Sequence, residues 1–182
     1  MPVDEESDMK KIMVFLFCLV IVNSVFCEDV TLTINAKVKG ENLIKLSLAP
    51  LQNGSSWNNA QGNLTLSFTS PAAKEAYVNL RTNSYINYYI NLLGVPLSSD
   101  GTTAKIGYTV TPIAGDNYTI GDRLVVDASH TNDSIDHFVT FPIRHGMRVV
   151  PAKFSVELNG ADWENASEGE YVATVFFDLT TT

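Results

Sequence analysis

Apolar and polar residues alternate along most of this chain. At 28–38 the sequence reads EDVTLTINAKV, with Val30, Leu32, Ile34, Ala36 and Val38 on one side and Thr31, Thr33, Asn35 and Lys37 on the other. A strict period of two belongs to a β-strand with one buried face. Similar runs follow at 43–49, 63–69, 76–82, 85–95, 103–113, 123–129, 137–143, 147–158 and 170–179. In the run at 85–95, Ile86, Tyr88, Ile90 and Leu92 share a face. Turn-forming clusters such as LQNGSS, SSDG and AGDN separate the runs. Short strands at such even spacing set the rhythm of an all-β sandwich or barrel. After residue 28 no helix is predicted, and Pro71–Ala76 has room for one short turn. Pro142 and Pro151 fall inside strand-like runs. Proline lacks the N–H that a central ladder needs, so both mark edges, bulges or breaks. No repeat and no second domain is evident.

The segment before the first strand has a different pattern. Lys10 and Lys11 precede the apolar run Ile12–Val22, which Asn23 and Ser24 end. The run is shorter than the roughly 20 residues a membrane span requires. A basic start and a short apolar centre are the marks of a signal peptide. We assign residues 1–27 to it, with cleavage after Cys27 and Ser24 as the next choice. The acidic PVDEESD is foreign to such a leader and points to Met9 as the true start. Phe26 precedes Cys27 where lipidation requires a small residue, so an acyl anchor is disfavoured.

Composition narrows the function. The chain has 182 residues, is 45% hydrophobic and carries a net charge of −8. The first 27 residues hold two lysines against four acids, so the remainder carries −6. A chain this acidic lacks the basic face that nucleic acid or an anionic membrane would need. Both cysteines, Cys18 and Cys27, lie in the leader, so the exported chain is expected to hold together by packing without a disulfide.

Chemistry is sparse. His130, His137 and His145 form no H-x-H or H-x-x-x-H pair. Asp133, Asp136 and His137 are the nearest approach to a metal set, and the simpler reading is a solvated loop entering a strand. No nucleophile elbow, phosphate-binding glycine loop or zinc-protease motif occurs. We expect no catalytic residue, no metal and no cofactor, and we do not read the chain as an enzyme. Trp57 and Trp163 stand among Asn and Gly, where an indole could stack on a glycan or close over apolar core. Five N-x-S/T sequons, at Asn53, Asn63, Asn117, Asn132 and Asn165, are a weak signal in so Thr-, Ser- and Asn-rich a chain.

The two ends carry the strongest pattern. From Gly169 the chain reads GEYVATVFFDLTTT, with Tyr171, Ala173, Val175, Phe177 and Leu179 alternating towards one face. Five alternating apolar residues thus open the exported chain and five close it. In this it resembles the structural subunits of chaperone–usher pili, in particular the cysteine-free alternate or fibrillar branches. Such a subunit is an immunoglobulin-like β-sandwich lacking its last strand. The alternating N-terminal extension of the next subunit fills the gap, and a periplasmic chaperone fills it before assembly. The resemblance implies residues 28–39 as donor strand, with Val30, Leu32, Ile34, Ala36 and Val38 in the groove pockets. Residues 40–182 would be the pilin domain. Gly169 matches a glycine that family members tend to carry fourteen residues from the C-terminus, opening a last strand that lines the groove and contacts the chaperone. The penultimate aromatic of many members is Thr181 here, and the central donor glycine is matched nearest by Ala36.

The implied function is a fimbrial subunit that polymerises by donor-strand exchange into a surface pilus used for attachment. It would be exported through the periplasm to the cell surface. Its partners would be neighbouring subunits, a chaperone, an outer-membrane usher and a host receptor. The competing reading is a self-complete secreted β-sandwich that binds a ligand, for example a glycan through Trp57 or Trp163.

Overall fold

The alternating runs assemble into two sheets. A computed structural model describes residues 30–35, 43–83, 85–100, 102–142 and 146–181. The leader, Ala36, Val38 and His145 lie outside them. The first sheet runs β3 (Leu64–Phe68), β1 (Val30–Asn35), β13 (Val172–Thr181), β5 (Tyr88–Gly94), β11 (Asp133–Phe141), β9 (Thr119–Ile120). Two short strands, β6 (Leu97–Ser98) and β7 (Lys105–Ile106), extend it beside the start of β13. The second sheet runs β10 (Leu124–Val126), β8 (Tyr108–Pro112), β12 (Arg148–Leu158), β4 (Lys74–Thr82), β2 (Ile44–Ser47). Among the described residues every ladder is antiparallel except that between β1 and β13.

The inward residues of both sheets form one core. Ile90, Phe138, Val175 and Phe177 of the first sheet and Val78, Val110, Phe154 and Val156 of the second are fully buried. Phe154 lies with its ring centroid 5.2 Å from Phe177 and 6.4 Å from Phe138, so three rings tie the sheets together. Each such side chain contributes roughly 1.5–3 kcal/mol by leaving water.

Several expectations need correction. The run at 103–113 is two strands in different sheets, because the chain crosses over at Gly107. A Cβ there would lie 2.6 Å from the Val126 carbonyl oxygen, and the Gly107 amide donates to Asp162 Oδ2 at 2.9 Å. Ile86 is exposed and precedes β5. Pro71–Ala76 makes no helical turn, since β4 begins at Lys74. Two short helices do form, α1 (Ser55–Asn59) and α2 (Gly160–Asn165). Asn159 caps α2 by accepting from the Ala161 and Asp162 amides, which satisfies two of its orphan donors.

The prolines sit as their chemistry requires. Pro142 directly follows β11. Pro151 lies within β12 opposite Asn79, but the ladder from β12 to β8 begins only at Phe154. Lys153, two residues on, turns its carbonyl towards Ile113 beyond β8. Pro151 shares that orientation, so its missing N–H faces no strand.

Candidate functional site

The N-terminal strand fills a slot between two strands that it separates completely. β1 runs parallel to β13, with Leu32 opposite Ala173 and Ile34 opposite Val175. On its other side it runs antiparallel to β3, with Val30 opposite Phe68, Leu32 opposite Leu66 and Ile34 opposite Leu64. Leu32 has no exposed surface. Of the five residues predicted to alternate, Val30, Leu32 and Ile34 take alternate positions along this strand. Ala36 and Val38 fall outside the described residues.

The slot has apolar walls. Leu66 and Phe68 line it from β3 and are buried. On the other side Tyr171, Ala173, Val175 and Phe177 are buried in strict alternation, and half-buried Leu179 packs against the same core. Lys74 lies 5.3 Å from the Phe68 ring centroid and donates to the Ser67 carbonyl, which fixes the β3 wall. Gly169 lies in a bend before β13 with φ of +156°, and a Cβ there would meet Ser99 Oγ at 3.0 Å. Without β1 the facing edges of β3 and β13 would be unpaired along an apolar trough, an arrangement prone to pairing with other chains.

The two tryptophans lie in different helices and are buried to different degrees. Trp57 lies in α1 and is only 4% exposed, so its ring is not an open platform for a sugar. It packs over the outer face of the second sheet, close to both Lys45 and Arg81. Beneath that segment lies Asn79, fully buried, whose Oδ1 accepts from the Leu51 amide at 2.9 Å. Trp163 is half-buried in α2 against the core. Sequence reasoning missed Lys45, Arg81 and Asn79. They stand far apart in the chain, and only strand pairing reveals them as neighbours.

Asp133, Asp136 and His137 do not gather around a common point. Asp133 accepts from the Asp127 amide at 2.9 Å and lies 2.8 Å from His130 Nδ1. These bonds hold its carboxyl below the usual carboxylate range and lift His130 above the usual histidine value. His137 sits at a bulge in β11 with φ of +58°, its amide donating to Asn91 and its ring 4.4 Å from that of Tyr89. Among the described residues no group of three His, Cys, Asp or Glu side chains could hold a metal ion.

Comparison with protein-family models gives no match, and a search of curated proteins gives none either.

Proposed function

We propose that this chain is a structural subunit of a chaperone–usher fimbria, polymerising by donor-strand exchange. One observation carries the reading. The first strand of the exported chain is wedged between β3 and β13, in the one parallel ladder among the described residues, and completes a sheet that lacks a strand without it.

The rest of the reading follows from that slot. The body without β1 is an immunoglobulin-like sandwich missing its last strand. A slot fillable by an alternating strand from its own chain accepts the same strand from another copy, because backbone pairing and apolar pockets do not register which chain supplies it. Donation from each copy to the next is head to tail and does not close, so it yields a filament. A donor strand that buried five apolar side chains would supply on the order of 10 kcal/mol before ordering costs. A periplasmic chaperone would occupy the slot before assembly and an outer-membrane usher would deliver the subunit to the cell surface. Attachment to a host receptor would be the role of the assembled pilus, and no catalysis or cofactor is involved.

A second reading has an observation in its favour: β1 lies in the sheet of its own chain. That is what a self-complete secreted binding module would show.

The deciding experiment compares residues 28–182 with a chain lacking 28–39, by size-exclusion chromatography and unboiled SDS gels. The fimbrial reading expects ladders from the longer chain and none from the shorter one. It also expects a peptide of residues 28–39 to bind and stabilise the shorter chain. A longer chain that stays monomeric, with a shorter one that unfolds and is not rescued by peptide, selects the self-complete module.

A further inference from the structure

The outer face of the second sheet carries two cations that have no counter-ion among the described residues. Lys45 of β2 and Arg81 of β4 both approach the Trp57 ring, with Nζ 5.2 Å and Cζ 5.8 Å from its centroid. Among the described residues the ion pairs are His130 with Asp133 and Lys153 with Glu75, so neither cation meets a carboxylate. In a chain with 20 acidic residues against 12 basic ones this is notable, because like charges held around one ring repel unless an anion joins them.

Their donors are also incompletely used. Lys45 Nζ donates to the Trp57 and Ala60 carbonyls, both at 2.7 Å, which leaves one of its three N–H groups. Arg81 Nε is buried without a hydrogen-bond partner. An unpartnered buried donor is costly, and a guanidinium presents the planar fork that suits carboxylate and phosphate oxygens. Beside these groups lies an open groove of about 780 Å³. Leu43 and Met147 give it an apolar wall, and Asn58 adds a polar rim.

The geometry points to a binding site for an organic oxyanion, a carboxylate or phosphate on a small apolar body, held by Lys45 and Arg81 beside the buried Trp57. Arg81 and Lys45 take the oxygens, while Leu43 and Met147 take the body. The site lies on the opposite sheet from the β1 slot and does not depend on strand exchange.

The test follows the Trp57 indole and Arg81 Nε–H signals of ¹⁵N-labelled protein by NMR. The probes are benzoate, phenyl phosphate and neutral benzamide, at matched ionic strength. Benzoate or phenyl phosphate should shift both signals saturably and benzamide should not, and the tighter of the two anions identifies the oxyanion. Arg81→Gln should weaken binding about 10–100-fold, the loss of a charge-assisted pair. Asn58→Asp, at an exposed position, should place a carboxylate in the site, raise Tm and weaken probe binding. Absence of saturable shifts with both anions, equal shifts with benzamide, or undiminished binding in folded Arg81→Gln would overturn the proposal. Undiminished binding in Asn58→Asp would do the same where Arg81→Gln does not fold.

Discussion

Leu32 stands opposite Ala173 on one side of its strand and opposite Leu66 on the other, and no part of it reaches solvent. It sits mid-strand in the slot and shares one buried core with Leu66 and Ala173. Leu32→Ala removes that filling, and a large-to-small change in such a core costs about 2–5 kcal/mol. Urea denaturation of the 28–182 chain should show that loss. A peptide of residues 28–39 with Leu32→Asp should fail to stabilise the chain lacking this segment, since the carboxylate would be buried unpaired. Rescue equal to that of the unmodified peptide would show that the pocket does not read this residue.

Asn79 is the buried polar group that fastens the α1 segment to the second sheet. Its Oδ1 accepts from the Leu51 amide, and its Nδ2 donates to the Lys45 carbonyl at 3.0 Å and to Ser47 Oγ at 2.9 Å. Asn79→Ala leaves the Leu51 N–H without a partner, at a cost of about 1–3 kcal/mol. Because α1 carries Trp57, the variant should also shift tryptophan emission to the red before global unfolding in urea. A single transition coincident by fluorescence and circular dichroism would place the segment in the global unit instead.

Gly94 is held small by the opposite sheet. A Cβ there would lie 2.6 Å from Tyr108 Oη and 2.6 Å from Val126 Cγ2. The Tyr108 hydroxyl donates to the Val95 carbonyl at 2.9 Å, and burial pushes its pKa far above the ordinary tyrosine value. It cannot easily move or ionise to relieve the clash. Gly94→Ala should cost about 1–3 kcal/mol as overpacking. In combination with Tyr108→Phe, which removes the clashing oxygen, the double variant should lose less than the sum of the two single losses. Strict additivity would show that the oxygen is not the obstacle.

These sites separate what the sequence makes legible from what it does not. The alternation that predicts strands is the buried face itself: Tyr171, Ala173, Val175 and Phe177 are inward because a strand turns every second residue the same way. Alternation identifies a face but not a neighbour. Nothing in EDVTLTINAKV says that Leu32 will sit between Leu66 and Ala173, or that the ladder to β13 is parallel. The break at Gly107 was hidden for a related reason. Ile106, Tyr108 and Val110 are all buried in step although they belong to different sheets. Helices α1 and α2 span five and six residues, too few to show a 3.6-residue period. The Lys45–Trp57–Arg81 grouping has no local signature at all, because β2 and β4 bring its members together only after pairing.

His130 and Asp133 form an exposed pair whose pH response has a definite sign. Their 2.8 Å contact raises the His130 pKa, chiefly through the hydrogen bond to Asp133. The Asp127 amide, followed by His130 itself, lowers that of Asp133. A raised histidine pKa contributes stability at low pH that is lost as pH rises through the folded value. A lowered carboxylate pKa contributes stability above the unfolded value that is lost as pH falls through the folded one. The pair is therefore fully formed between the ordinary carboxylate and ordinary histidine ranges and weakens on either side. Both groups are solvated, so the change in global stability should be small. An NMR titration of the His130 ring is the sensitive measurement. Asp133→Asn should return its midpoint towards the ordinary histidine value. A His130 midpoint that does not move would show that the loop does not hold the pair together in solution.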